Sequence, residues 1–135
     1  MKLLALLVLA GALAPAQTPP DVLRFFQTAA ENLADEDEQA FLNHFDPKMD
    51  GFAGLRDDVR TLLAARNVAS AIEFTKDEGD ARQRSVELDW VFTTSEKMPP
   101  GESVTRRIAV KCQIERQGKQ WKIVRFEPLG LFAIK

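Results

Sequence analysis

The stretch Ser85–Thr94, which reads SVELDWVFTT, decides the fold of this 135-residue chain. Apolar side chains occupy every second position of it and polar ones lie between them: Val86, Leu88, Trp90 and Phe92 on one side, Glu87, Asp89 and Thr93 on the other. Successive side chains of a β-strand point to opposite faces of a sheet. The pattern therefore predicts a strand with one buried face and one partly solvated face.

Three further stretches show the same alternation. One precedes this strand, from Val68 to Thr75, and two follow it, at positions 104–116 and 120–127. The segments that separate the four stretches are rich in residues typical of turns: Asp77–Asp80, Met98–Gly101 and Gln117–Lys119. Strands joined by short turns pair antiparallel, so we predict a four-stranded antiparallel sheet.

The residues before Val68 follow a helical period. Apolar side chains recur there at intervals of three and four: Val22, Phe25, Phe26, Ala29 and Leu33, then Ala40, Phe41 and Phe45, then Leu55, Val59, Leu62 and Leu63. Asp21 suits the cap of the first helix, and Asp46-Pro47 suits the end of the second. The predicted class is α+β, with N-terminal helices packed on one face of a curved four-stranded antiparallel sheet.

The N-terminus has the features of a secretory signal peptide. Met1-Lys2 gives a positive start, Leu3–Ala14 is an apolar run, and Ala14-Pro15-Ala16 supplies the small residues of a cleavage site. The run is shorter than the roughly 20 residues that span a bilayer. We therefore expect residues 1–16 to be removed between Ala16 and Gln17, and residues 17–135 to form one exported domain, periplasmic or extracellular, without a membrane span.

Composition excludes several classes of function. The net charge of −2, without basic clusters, argues against a nucleic-acid partner. One cysteine, Cys112, excludes an internal disulfide, and the pattern offers no metal site; the acidic residues Asp35–Glu38 are interpreted as a solvated helix start. No glycine-rich phosphate loop is present, so no cofactor is expected.

The order of these elements resembles a known superfamily. The matching pieces, which cover the chain after the signal peptide, are Phe25–Asp35, Phe41–Phe45, Gly54–Val59, Ser85–Thr94, Thr105–Arg116 and Trp121–Arg125. They are similar to the nuclear transport factor 2-like superfamily, which includes SnoaL-like and ketosteroid-isomerase-like proteins. The resemblance implies a cone, in which a curved sheet wraps around a long helix and encloses an apolar pocket. The cystatin-like roll is the nearest alternative arrangement.

The catalytic sets that this resemblance implies do not carry over to the sequence. The isomerase arrangement needs a tyrosine, and the chain has none. The dehydratase arrangement pairs a histidine with an aspartate and tyrosines, and the only histidine here is His44. The epoxide-hydrolase arrangement uses two aspartates and an arginine to activate a water. Its nearest counterparts here are Asp89, Arg106, Arg125 and Glu127, but no motif aligns with it residue by residue.

Parity along the strands nevertheless predicts a polar floor within an apolar pocket. Arg106 shares parity with Val104 and Ile108, and Arg125 and Glu127 share parity with Trp121 and Ile123. The candidate pocket residues are Trp90, Phe92, Arg106, Arg125 and Glu127, with Asp89 and His44 as weaker candidates. A buried arginine is costly unless it is paired, so such a floor would bind a carboxylate or orient a water. The alternative interpretation places these charged residues at the sheet rim, paired with each other.

Three functions follow from this interpretation. The first is non-enzymatic binding of a small apolar or amphipathic ligand in the cone, with self-association into a homodimer through the outer sheet face near Val91, Ala109 and Val124. The second is a cofactor-independent hydrolase, isomerase or cyclase that uses a pocket carboxylate and an arginine. The third is a structural or protein-interaction module of the cell envelope.

Overall fold

The computed structural model describes residues 18–98 and 101–134. Within these residues three helices precede four strands, and a short 3-10 helix follows them. The helices are α1 Pro20–Ala34, α2 Glu38–Leu42 and α3 Phe52–Ala65; the strands are β1 Arg66–Gly79, β2 Gln83–Glu96, β3 Val104–Gln117 and β4 Gln120–Glu127; the 3-10 helix is Leu129–Phe132. The predicted signal peptide lies outside the described residues.

The four strands form one antiparallel sheet in the order β1-β2-β3-β4. Trp90 of β2 lies opposite Ile72 of β1 and Ile108 of β3, so the predicted apolar parity faces one side across three strands. The helices cover this inner face, and the fold class is the α+β arrangement that the sequence predicts. None of the helices among the described residues has the length and apolar character needed to cross a membrane.

A β-bulge in β4 overturns one part of the sequence analysis. Gln113 lies opposite Arg125 while the next residue of β3, Ile114, lies opposite Ile123, so Val124 is an extra residue. One extra residue moves every later side chain to the other face of the sheet. Trp121, Ile123 and Phe126 are buried as a result, whereas Arg125 and Glu127 are exposed. The prediction that Arg125 and Glu127 point inward is therefore wrong.

Two helix and turn boundaries also differ from expectation. Pro19, not Asp21, is the cap of α1, and no side chain caps this end. The turn between β1 and β2 lies at Asp80, whose Oδ1 accepts the backbone N–H groups of Arg82 at 2.8 Å and Gln83 at 2.9 Å. Strand β1 thus runs through the predicted turn, and a bulge at Thr75 brings Asp77 to the inner face.

Aromatic side chains fill the interior of the cone. Trp90 is 0% exposed, and its ring meets those of Phe41, Phe126 and Phe132 edge to face at centroid distances of 5.7–6.2 Å. The indole N–H of Trp90 donates to Ser70 Oγ at 2.7 Å, which satisfies its one polar atom. Edge-to-face contacts add about 0.5–1.5 kcal/mol per pair beyond the burial of area.

The C-terminal segment 129–134 supplies the last piece of this core. Phe132 is 0% exposed and stacks on Phe126 at 5.8 Å with an interplanar angle of 18°. It also meets Phe41 at 5.4 Å and Phe92 at 5.8 Å. The interior of the cone, where a ligand pocket is predicted, is thus filled by the side chain of Phe132.

Candidate functional site

The structure brings Phe92 and Arg106 together at one end of the cone. The two residues are directly opposite each other on β2 and β3, and Arg106 Cζ lies 5.8 Å from the centre of the Phe92 ring. Trp90 lies deeper, within the aromatic core. We call the depression at this end the cone mouth; it measures about 200 Å³ and is lined by Leu62, Arg66, Phe92, Thr94, Val104, Arg106, Ala133 and Ile134.

The charge at the cone mouth is positive. Arg66 and Arg106 both line it, and none of its lining residues is acidic. Arg106 is half-buried, and its Nη2 donates to the carbonyl oxygen of Leu131 at 3.4 Å, a long contact. Within the described part of the chain, neither guanidinium lies within 4.0 Å of a carboxylate. Two cations therefore line one depression whose described lining includes no acidic residue; Glu96 lies opposite Arg66 in the β1–β2 register but not within 4.0 Å of its guanidinium.

The neighbouring arginine on β3 behaves differently because it faces the other side of the sheet. Arg107 Nη1 donates to Glu73 Oε1 at 3.0 Å and to Asp89 Oδ2 at 2.9 Å. These two carboxylates raise the pKa of Arg107. Asp89 is therefore on the outer face, paired with an arginine, and does not reach the interior.

The residues predicted for hydrolysis do not meet. Arg106 faces inward, whereas Asp89, Arg125 and Glu127 all lie on the outer face. A carboxylate that activates a water and an arginine that holds the substrate must share one cavity. These four residues do not assemble such a set, because the sheet separates Arg106 from the three others.

His44 lies in a second depression, which shares no lining residue with the cone mouth. It measures about 450 Å³, and we call it the α1 cleft; it is lined by Asp21, Arg24, Phe25, Thr28, Asn43, His44, Lys119, Gln120, Trp121 and Lys122. The His44 ring contacts the Phe25 ring at a centroid distance of 4.8 Å. Partial burial lowers the pKa of His44.

The protonation of His44 follows from its hydrogen bond. Nδ1 lies 3.0 Å from the carbonyl oxygen of Ala40, which is an acceptor, so Nδ1 carries the proton. Burial lowers the pKa of His44 and so favours the neutral ring, in which Nε2 is the nitrogen without a proton. The backbone of His44 is fixed as well, because its carbonyl oxygen accepts the N–H of Ile123 at 2.8 Å.

One side of the α1 cleft is held in place by hydrogen bonds from β3 and β4 to Asp21. Asp21 Oδ2 accepts from Arg116 Nη2 at 2.9 Å and from Trp121 Nε1 at 3.0 Å. These two donors lower the pKa of the Asp21 carboxyl. The Arg116 guanidinium lies 4.4 Å above the Trp121 ring. Asp21 therefore joins α1 to the β3–β4 turn instead of capping its own helix.

Most of the α1 cleft is not apparent from the sequence. Phe25 and Trp121 fit the apolar periods of a helix and a strand, and no pattern gives a role to Arg24, Lys119 or Lys122. The one local signal is that Lys119, in the tight turn, and Lys122, in β4, lie on either side of Trp121 in the sequence. The pairing with Asp21 joins residues 100 positions apart, and no local pattern predicts it.

A buried ion pair closes the end of the sheet near the β1–β2 turn. Arg84 Nε donates to Asp77 Oδ1 at 2.9 Å, and the two side chains are 8% and 0% exposed. Arg84 Nη1 also donates to the carbonyl oxygen of Asp80 at 3.0 Å. The guanidinium is thus neutralised by a carboxylate, in contrast to those at the cone mouth.

The remaining reactive groups are inert in this environment. Cys112 is buried among apolar side chains, and burial raises the pKa of its thiol well above the usual range. In the described part of the chain, no group of three or more His, Cys, Asp or Glu side chains is arranged to hold a metal ion. Asp37, in the acidic run, accepts the N–H of Ala40 at 3.1 Å and caps α2.

No protein-family model matches the sequence, and no curated protein is significantly similar to it. Solved structures do match its shape. A ketosteroid isomerase-like protein from Erwinia carotovora atroseptica superposes with a TM-score of 0.66 at 11% identity, covering 82% of this chain and 94% of the other. The β-subunit of benzoate 1,2-dioxygenase from Burkholderia mallei superposes with a TM-score of 0.63 at 15% identity, covering 84% and 90%.

A protein of the nuclear transport factor 2-like family from Streptomyces avermitilis superposes with a TM-score of 0.66 at 10% identity, covering 78% of this chain and 91% of the other. At these identities the likeness concerns the fold. The chain therefore has the fold of nuclear transport factor 2-like proteins, the superfamily that its sequence resembles.

Proposed function

We propose that this chain binds a small amphipathic carboxylate at the cone mouth, without catalysing a reaction. The observation that carries the proposal is the pair Arg66 and Arg106, which line one depression beside Phe92; neither forms an ion pair with a described residue, although Glu96 lies opposite Arg66 on β2. A guanidinium removed from water is costly unless an anion balances it. A ligand carboxylate would supply that balance.

The geometry indicates the size and orientation of such a ligand. Guanidinium groups hold carboxylates through two parallel hydrogen bonds, so the acid group would lie between Arg66 and Arg106. The apolar part would rest on Phe92, Val104 and Ile134, of which Val104 is 57% and Ile134 37% exposed. The volume of about 200 Å³ is below the roughly 300–1,000 Å³ of drug-sized sites. A short-chain or single-ring acid therefore fits best.

The C-terminal segment 129–134 bears on this proposal because it forms one wall of the cone mouth. Ala133 and Ile134 line the depression, and the carbonyl of Leu131 accepts from Arg106. The interior behind Phe92 is filled by Phe132, so the ligand would lie at the mouth and not deep within the cone.

The test is titration calorimetry with hexanoate and phenylacetate on the wild type, Arg106→Gln and Arg107→Gln. Arg107 is the matched control, since it is the next residue on the same strand and faces the other side. We expect saturable binding that Arg106→Gln weakens by about tenfold or more and Arg107→Gln leaves within about twofold. Equal affinity in all three proteins, or no saturable heat with either acid, would overturn the proposal.

The enzymatic alternative has less support. General acid–base chemistry at the cone mouth needs a titratable group within hydrogen-bond reach of the substrate. Its lining residues include two arginines and a threonine but no carboxylate, histidine or tyrosine. A binding role requires nothing further of the residues present.

We further propose that the protein is exported and that two copies pair through the outer sheet face, as an envelope module would. Ala71, Val91 and Ala109 leave small apolar positions beside the ion pairs of Arg107. Ala109→Arg should convert a dimer to a monomer in analytical ultracentrifugation, whereas a monomeric wild type would dismiss the pairing. Export is tested separately, by sequencing the N-terminus of the protein recovered outside the cytoplasm, where Gln17 is expected.

A further inference from the structure

We infer that the α1 cleft is a second binding site, independent of the cone mouth, and that its ligand is an aromatic anion. The cleft combines an aromatic floor with a rim of cations. Its volume of about 450 Å³ falls within the roughly 300–1,000 Å³ range of small-molecule sites. The C-terminal segment 129–134 does not contribute to its lining.

The floor is apolar and fixed in position. Phe25 is half-buried and packs on Phe26 at 5.1 Å, edge to face, and on the His44 ring. Trp121 is 5% exposed, with its indole N–H anchored on Asp21 and the Arg116 guanidinium 4.4 Å over its ring, so it supports the floor from behind while Phe25 and His44 provide the accessible rings. Anchored rings lose little conformational freedom when a ligand binds, so they form a preorganised surface for a flat apolar group.

The rim carries a positive charge that the described residues do not neutralise. Arg24 and Lys119 line the cleft, and within residues 18–98 and 101–134 neither lies within 4.0 Å of a carboxylate. Lys122 Nζ donates to the carbonyl oxygen of Asn43 and so is held at the edge of the cleft. Three cations therefore surround one aromatic surface.

The one acidic residue of the cleft is already engaged. Asp21 accepts from both Arg116 and Trp121, and the charge of Arg116 balances its own. The cations of the rim thus remain available to a ligand. Together, the aromatic floor and the cationic rim favour a planar aromatic ring that carries a carboxylate, and they disfavour a cationic ligand.

Two tryptophans make the location of binding measurable. The indole N–H of Trp121 lies in the α1 cleft and donates to Asp21, whereas that of Trp90 lies in the core and donates to Ser70. In a ¹⁵N–¹H spectrum each gives a separate signal. Titration with 2-naphthoate should shift the Trp121 indole signal in a saturable way and leave the Trp90 signal in place.

Charge dependence is tested by two double variants with equal loss of charge. Arg24→Gln with Lys119→Gln removes the free cations of the rim, while Lys111→Gln with Arg125→Gln removes two exposed cations of the outer face. We expect the first to weaken 2-naphthoate binding by about fivefold or more and the second by less than twofold. The neutral analogue 2-naphthamide should bind the wild type about as weakly as 2-naphthoate binds the first variant.

The outcomes separate this site from the cone mouth. No shift of the Trp121 indole signal, or equal affinity of 2-naphthoate for both double variants, would overturn the inference. Arg106→Gln should not change the shift at Trp121. If it abolishes that shift, there is one site and not two. A failure of hexanoate and phenylacetate to bind at the cone mouth leaves the titration of the α1 cleft unaffected.

Discussion

Replacement of Phe132 by alanine tests how firmly the C-terminal segment holds the core together. The ring is 0% exposed and contacts four other aromatic rings at 5.4–5.8 Å. Truncation of a fully buried phenylalanine costs about 3–5 kcal/mol, from lost transfer energy and the cavity left behind. Phe132 lies in a 3-10 helix outside the hydrogen-bonded sheet, where the backbone relaxes more easily than in a central strand, so we expect the lower part, about 3 kcal/mol.

The assay is urea unfolding followed by circular dichroism, supported by thermal melting. For a domain of this size about 3 kcal/mol corresponds to roughly 12 °C in Tm. Since an apolar cavity stays dry and accepts small apolar molecules, toluene should raise the Tm of Phe132→Ala but not that of the wild type. Leu129→Ala, in the same segment but 40% exposed, is the control and should cost about 1 kcal/mol or less.

A loss below about 1 kcal/mol for Phe132→Ala would refute the reasoning. It would mean that the ring does not fill the cone in solution. A loss of the expected size without any effect of toluene would mean that the core collapses around the vacancy.

Three further changes test other parts of the structure. Asp77→Ala leaves Arg84 buried without its partner, so urea unfolding should show a loss of about 3–5 kcal/mol, whereas an exposed pair would cost less than 1. Gly51→Ala should lower the free energy of unfolding by about 1–3 kcal/mol in the same assay, because φ at this position is +83° and the added Cβ would lie 2.6 Å from Leu129 Cδ1. An unchanged urea midpoint would contradict this. Burial lowers the pKa of His44, so the unfolded chain binds more protons, and stability should fall as the pH drops below about 6.5. Urea midpoints at pH 7 and pH 5 should therefore differ less in His44→Gln than in the wild type.

The alternating sequence patterns predict correctly which side chains are buried where the strands pair without a bulge. In β2 from Arg84 to Phe92, and in β3 from Val110 to Ile114, every second residue is buried, as the alternation predicts. In β4 the apolar residues change parity between Ile123 and Phe126, and this change is the trace of the bulge at Val124. The prediction for Arg125 and Glu127 assumed the same alternation as at Trp121, and it therefore gave these two residues the wrong face of the sheet.

The candidate site was harder to predict because its parts are distant in sequence. Arg106 and Phe92 were both identified from parity, since they lie on adjacent strands joined by one turn. Their third neighbour, the segment 129–134, follows the last strand and has no periodic pattern that indicates where it packs. The filling of the cone by Phe132 is a tertiary contact, and nothing in the local sequence of LGLF distinguishes it from an exposed tail.

The buried thiol of Cys112 has a practical consequence. It lies on the central strand β3, 3% exposed, and opposite Val86 and Phe126 of the two adjoining strands. A reagent that alkylates thiolates can reach it only when this part of the sheet separates from its neighbours. With no other cysteine in the chain, the rate of labelling reports the opening of the sheet's middle, without an engineered probe.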